Sequence, residues 1–246
     1  MGEYVGGLVP LIYFARKNNS SRLRLVKPVW RKDILLKTCL NGSSEFMTNA
    51  SSSVVNMLYN TQLMHLVGAD GVAAYGAVMY VNFIFVATFL GYAIGCAPVI
   101  SYHYGAGNHA ELKNLYKKSM SIILVWGVIL FGAAQLLAPV LSKIFVGYNT
   151  GLYAMTLHGF RVYAIAFLII GINIFGSSFF TALNNGLISA VISFLRTLVF
   201  QVIMVLTLPL WFGINGIWSA ISIAEALTLI MTTTFFVRQK DKYHYL

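Results

Sequence analysis

VAAYGAVMYVNFIFVATFLGYAIGCAPVISY, residues 72–102, runs for 31 residues without an Asp, Glu, Lys or Arg. A helix rising 1.5 Å per residue needs about 20 such residues to cross a hydrocarbon core about 30 Å thick. The bilayer core offers no partner to a bare backbone amide, so a spanning segment must be a helix or a strand of a closed barrel, and this run is too long for a barrel strand. Five further long segments read the same way, at 34–66, 120–146, 155–183, 187–212 and 214–237. Composition agrees along the whole chain. Of 246 residues, 58% are hydrophobic and 10% charged, with a mean hydropathy of +0.75, whereas a soluble domain carries about 25% charged residues. The expected fold is an all-α polytopic membrane protein, a bundle of six transmembrane helices preceded by a helix stub.

Residues 1–15 hold an apolar stretch too short to span, with Glu3 where a signal peptide would be basic, so they read as the end of a truncated transmembrane helix. Residues 16–33 form a basic, amphipathic linker suited to the inner membrane surface, 34–237 the six-helix lobe and 238–246 a tail. The net charge of +10 would raise nucleic acid as a partner in a soluble protein. Here fourteen of the seventeen Lys and Arg residues fall in three clusters, 16–37, 113–118 and 238–242, beside the spans, as cytoplasmic segments require. No nucleic-acid partner is expected. Alternation from a cytoplasmic linker puts the 103–119 loop and the 238–246 tail inside, and the 147–152 and Trp211 turns outside. Lys143 is a mild exception, near enough to a helix end to snorkel. Cys39 and Cys96 sit in apolar surroundings and read as packing thiols.

One segment is unlike the rest. On a helix, Thr38, Asn41, Glu45, Thr48, Asn49, Ser52, Asn56, Tyr59 and Asn60 share one face. A polar stripe of this length cannot face lipid cheaply, so it lines a water-filled cavity or a hydrogen-bonded helix interface. Ser43, Ser44, Ser51 and Ser53 point elsewhere and read as helix-to-helix glue. A carboxylate near mid-membrane marks an ion or substrate path by default, which singles out Glu45. Arg196 and Glu225 are also intramembrane. Counted from the turn near Phe212 they differ in depth by about 4.5 Å, so they read as a buried ion pair of structural or gating role. His103 and His109 lack the company of a zinc set, and no metal site is expected. His158 and Arg161 read as interfacial anchors, and Gly91 with Gly95 as a close-packing pair. Met47, Met57, Tyr80 and Phe83 read as core, or as an adaptable ligand surface.

Two stretches resemble a family. HLVGADGVAAYG (65–76) and PVISYHYGAGNHAELKN (98–114) are similar to signature passages of the multidrug and toxic compound extrusion (MATE) transporters, and CLNGSSEFMTN (39–49) with FGINGIWSAISIAE (212–225) is worded most like the MepA-like bacterial branch. The resemblance implies the C-terminal half of a two-lobed, twelve-helix transporter that exports cationic amphiphilic compounds by proton- or sodium-coupled antiport with alternating access. It implies a bacterial plasma membrane, a cytoplasmic C-terminus, a coupling H+ or Na+ and no cofactor, with membrane lipids, cationic small molecules and a matching N-terminal six-helix half as partners. Glu45 stands where the family carries the acidic residue of its cation site, with Asn49, Ser52 and Asn56 beside it and Tyr80 and Asn82 as lining residues. Sodium-coupled relatives also carry an aspartate on the helix matching 155–183, where this sequence offers Asn173 and Ser177 instead. The alternatives are a lipid-linked precursor flippase of the same superfamily and an inactive truncated remnant. An enzyme is not expected, because no nucleophile, base or metal arrangement stands out.

Overall fold

The computed structural model describes residues 2–16 and 30–245, without the side chains of residues 2, 3, 41, 44, 45 and 47. The greater part of the expected linker therefore lies outside the described residues. The chain divides into two compact units, Met1–Lys37 and Thr38–Leu246. The first contains α1 (Gly2–Ala15), with Pro10 inside it, and the opening turn of α2 (Lys32–Leu66). Tyr4, Val5, Leu8 and Ile12 of α1 are exposed.

In the second unit α2 continues and is followed by α3 (Ala69–Gly105), α4 (His109–Val146), α5 (Thr150–Ala164), α6 (Phe167–Ala182) and α7 (Gly186–Phe194). A π-helical segment, Leu195–Val199, leads into α8 (Phe200–Phe212), and α9 (Ile214–Tyr243) ends the series. The chain is an all-α, polytopic membrane protein. Among the described residues α3, α4, the α7–α8 unit and α9 are each long and apolar enough to cross a bilayer, and α5 with α6 makes a fifth span if the pair is taken together. With 35 residues α2 has the length, but its Ser, Thr and Asn content keeps it out of that apolar set.

Two of the expected helices differ from a simple rod. Residues 155–183 read as one helix, yet the chain is bent by 48° between α5 and α6. Around the bend the backbone tightens: Ile165 N–H donates to Val162 O, Ala166 to Tyr163 O, Leu168 to Ile165 O and Ile169 to Ala166 O. These three-residue spacings replace the four-residue ladder and redirect the axis. Phe167 O approaches so closely that a Cβ on Gly127 of α4 would lie 3.1 Å from it, so the bend is held by packing across helices. The second difference is the π segment, where Phe200 N–H reaches back to Leu195 O. It widens one turn around Arg196.

α6 is the axis of the lobe. From Ile170 to Gly176 every residue is buried, and the helix packs against α3, α4, α7 and α9. A helix that is apolar over most of its surface, with its few polar groups bonded to neighbouring helices, belongs in such a position. Its neighbours approach through glycines: a Cβ on Gly176 would lie 2.5 Å from the Thr232 methyl, and one on Gly159 of α5 would lie 2.6 Å from the Trp218 ring. Gly91 and Gly95 behave otherwise. Both are exposed, and a Cβ on either would meet no described atom within 4 Å. The close-packing reading of that pair is therefore corrected, because the spacing marks small residues without saying what approaches them. Cys39 is likewise exposed rather than packed.

Tight turns join the spans. Gly213, with φ +55°, is the one residue between α8 and α9, and Gly68 at φ +84° precedes α3, a region of backbone space open chiefly to glycine. At the opposite end α9 outruns the expected span and closes on Tyr243. His244 turns the chain back in a left-handed conformation, and Tyr245 is buried against Tyr116, Phe179 and Phe236. Its hydroxyl donates to Phe236 O at 2.9 Å, and burial pushes the phenol above its ordinary range. Gly159→Ala is expected to lower stability in detergent by about 1–3 kcal/mol through overpacking against Trp218. Gly132→Ala on α4, facing open space, should be neutral or raise it by about 0.5–1 kcal/mol. Thermal unfolding of the two variants checks the difference.

Candidate functional site

Glu225 lies on α9 and is fully buried, and Arg196 lies in the π segment of the neighbouring span. Arg196 Nε donates to Glu225 Oε1 at 2.8 Å and to Oε2 at 3.1 Å. From α6, Asn173 Nδ2 donates to Glu225 Oε2 at 2.7 Å and to its backbone carbonyl at 3.0 Å. Three helical elements therefore converge on one carboxylate. Isolated, that carboxylate would be costly to bury; paired and hydrogen-bonded, it is held at one depth and one orientation. This is the only ion pair among the described residues.

Buried tyrosines lie on α2, α3 and α5. Tyr59 of α2 stacks on Tyr75 of α3 with ring centroids 4.9 Å apart, and Tyr75 OH donates to Asn56 Oδ1 at 2.9 Å. Tyr163 of α5 is buried as well, with its ring 6.1 Å from that of Phe167. Two buried polar atoms here, Tyr59 OH and Asn173 Oδ1, have no partner among the described residues. The Glu225 nest joins α6, the π segment and α9, and the stacked tyrosines join α2 to α3. Tyr75 and Tyr163 were not singled out from the sequence. A signal for Tyr75 was present, since Tyr59 and Tyr75 stand at similar depths on either side of the Gly68 turn.

The residues of the expected cation site are distributed between this nest and an open face. Glu45 lies within α2, but its side chain is outside the described set. Asn49, Ser52, Asn56 and Asn60 are exposed. Ser52 Oγ donates to Thr48 O at 2.7 Å and Asn60 Nδ2 to Asn56 O at 2.9 Å, which leaves hydroxyl and amide oxygen lone pairs outward. On the flank of α2, Ser51, Val55, Tyr59 and Leu63 are buried, one contact row at every fourth residue. Asn173 joins Glu225. Ser177 joins a hydroxyl ladder between α6 and α7, 2.9 Å from Ser189 Oγ and 2.8 Å from Ser193 Oγ. Tyr80 is exposed and stacks on Phe145 at 6.0 Å, and Asn82 is half-buried with Oδ1 lacking a partner among the described residues. His109 stacks edge-on against His244 at 5.0 Å, and His158 Nε2 lies 2.8 Å from Asn215 Oδ1.

The sequence profile described as MatE matches residues 46–207. The chain belongs to the MatE family. Its fold is that of MATE transporters of known structure: one solved in complex with MaL6 has a TM-score of 0.88 at 18% identity over 99% of this chain and 55% of that one. An outward-facing multidrug resistance MATE transporter of the MOP superfamily gives 0.85 at 18% identity over 98% of this chain and 54% of its own, and an inward-facing one 0.78 at 18% identity over 96% and 55%. The MatE chain thus spans about half the length of the solved structures it matches. A curated relative, the lipid II flippase MurJ of Bacillus subtilis (strain 168), is 31% identical over 98 residues, which are 39% of this chain and 18% of the flippase.

Removing one partner of a buried ion pair strands the other charge, at a cost of about 3–5 kcal/mol. Arg196→Met alone is therefore expected to destabilise the lobe strongly, and Glu225→Met alone likewise. The double variant should lose clearly less than the sum of the two. A thermal-unfolding double-mutant cycle in detergent measures the coupling.

Proposed function

We propose that this chain forms one wall of a secondary transporter that exports cationic amphiphilic compounds in exchange for H+ or Na+. The single observation that carries the reading is the polar face of α2. Asn49, Ser52, Asn56 and Asn60 lie open on the surface of a bundle whose other spans are strongly apolar, and a membrane helix keeps such a face only for a water-filled cleft or a polar partner. Membership of the MatE family and a likeness to both outward- and inward-facing folds support it. The second wall is a matching N-terminal half. The assembly sits in a bacterial plasma membrane with the basic 238–242 cluster on the cytoplasmic side. No cofactor is needed.

Glu45 is the residue through which coupling runs. A carboxylate in a poorly solvated cleft has its charged form disfavoured and its hold on a proton strengthened. Cationic substrate and coupling ion compete for that one charge, and exclusive occupancy links the inward movement of one to the outward movement of the other. Asn49, Ser52 and Asn56 orient the carboxylate or bind the ligand, with Tyr80 and Asn82 further along the cleft. Asn173 and Ser177 stand on the helix that matches the second acidic position of sodium-coupled relatives. Arg196 and Glu225 set the packing of α9 against that helix.

The flippase reading rests on the 31% identity with MurJ. It calls for a cavity that attracts an anionic lipid head. The basic clusters of this chain lie beside the spans, so the antiport reading is preferred. Glu45→Gln, co-reconstituted with a matching N-terminal half, is expected to insert normally and to lose ion-driven efflux of a fluorescent cationic dye by at least about 10-fold, the range of a removed coupling group. Gradient-dependent export that survives in this variant would exclude Glu45 from coupling.

A further inference from the structure

Between α3 and α4 runs a half-open groove of about 250 Å³, lined by Thr88, Phe89, Tyr92, Ile122, Ile123 and Trp126. Its polar atoms are already engaged: Trp126 Nε1 donates to Thr88 Oγ1 at 2.9 Å, and Tyr92 OH to Ser119 Oγ at 3.1 Å. The interior left over is hydrocarbon. These two bonds also fix the antiparallel register, which sets Gly95 level with Lys118 and Gly91 level with Ile122. Gly91 and Gly95 share the Thr88–Tyr92 face of α3 by helical register, and a Cβ on either would meet no described atom within 4 Å, so that face carries a backbone trough from the groove to the level of Lys118. The glycine pair thereby acquires a use that helix packing did not give it.

At the end of that trough stands a charge. Lys118 is exposed and lies on the same four-residue row of α4 as Ile122 and Trp126. It has no carboxylate partner among the described residues, where Arg196–Glu225 is the one ion pair. The charge-free run of α4 begins at residue 119 and continues to 142, which sets Lys118 at head-group level. At 1.5 Å per residue Ile122 then lies about 6 Å, and Trp126 about 12 Å, deeper into the acyl region. Lys113 and Lys117 stand on the same cytoplasmic side. A basic group at head-group depth above an apolar trough complements one occupant, an anionic phospholipid of the inner leaflet.

We propose that the α3–α4 groove is a binding site for an anionic phospholipid, with Lys118 holding the head group and one acyl chain lying over Gly95 and Gly91 against Ile122 and Trp126. The proposal needs only that the lobe is in a membrane, and it stands or falls apart from the identity of any exported compound. A zwitterionic lipid would wet the same trough but would gain nothing from Lys118, so charge selectivity is the signature.

Contact quenching by lipids brominated on the acyl chain tests this in the full chain reconstituted in vesicles. Trp30→Phe and Trp211→Phe leave Trp126 as the lipid-accessible tryptophan, because Trp218 is 1% exposed. Brominated phosphatidylglycerol or brominated phosphatidylcholine then replaces part of an unbrominated phosphatidylcholine bilayer. Phosphatidylglycerol is expected to reach half-maximal quenching at a mole fraction about fivefold lower, the advantage of one lysine at an anionic head group. Lys118→Gln should abolish that preference, Lys118→Arg should keep it, and Gly95→Leu should reduce quenching by both lipids. Lys118 is exposed and Gly95 faces open space, so helix content by circular dichroism should be unchanged in all three. Equal quenching by the two lipids in the parent, a preference that survives Lys118→Gln, indifference to Gly95→Leu, or no quenching because a second copy or the N-terminal half covers the groove would each overturn the site.

Discussion

A hydrocarbon medium gives nothing to hydrogen-bond with, and the fold answers that constraint twice. The first answer is the helix, which satisfies its own backbone. The second is the centre of the lobe, where Glu225 is closed off by Arg196 and Asn173. Because one carboxylate collects donors from α6 and the π segment, the rotation and depth of three elements are set together. Slipping α9 by one residue would carry Glu225 off its donors and leave a bare charge in the core. Greasy contacts alone tolerate such slips far better, since one apolar neighbour replaces another.

Around that fixed point the lobe is built from close backbone approach. α6 runs through the middle with Gly171 and Gly176 beneath neighbouring side chains, and Gly159 lies under Trp218. In lipid there is little hydrophobic gain from pairing two apolar helices, so contact area and small residues carry the association. The hydroxyl ladder of Ser177, Ser189, Ser193 and Thr181 adds directional bonds between α6 and α7. These bonds hold the two helices in one register, which apolar contact alone would not fix.

What could be read beforehand follows from what a linear pattern carries. Apolar runs, flanking lysines and tight turns gave the helical class, the segments and the depth match of Arg196 with Glu225. The bend after α5 left no such mark, because YAIAFLIIG contains no proline and reads as an unbroken span. Its backbone packs closely on Gly127 of α4, a contact that no local window contains. The π turn at Arg196 is hidden for the same reason. Gly91 and Gly95 show the converse limit, since a motif gives spacing but not the identity of its neighbour. The polar stripe of α2 was legible as a face, and Tyr59 shows how such a face can be shared: it belongs to the stripe by register and to the core by burial.

Beyond α9 the chain doubles back so that the Tyr245 ring plugs a cluster formed by Tyr116, Phe179 and Phe236, while Asn185 Nδ2, at the turn before α7, donates to Tyr243 OH at 2.9 Å. The end of the last helix is therefore a keystone for that rim of the lobe and not a loose appendage. Reporter proteins and affinity handles are routinely hung at such places on the assumption that nothing there matters. In this lobe a bulky fusion set directly behind Tyr245 would pull on the aromatic plug itself, so a spacer of several flexible residues belongs between the two.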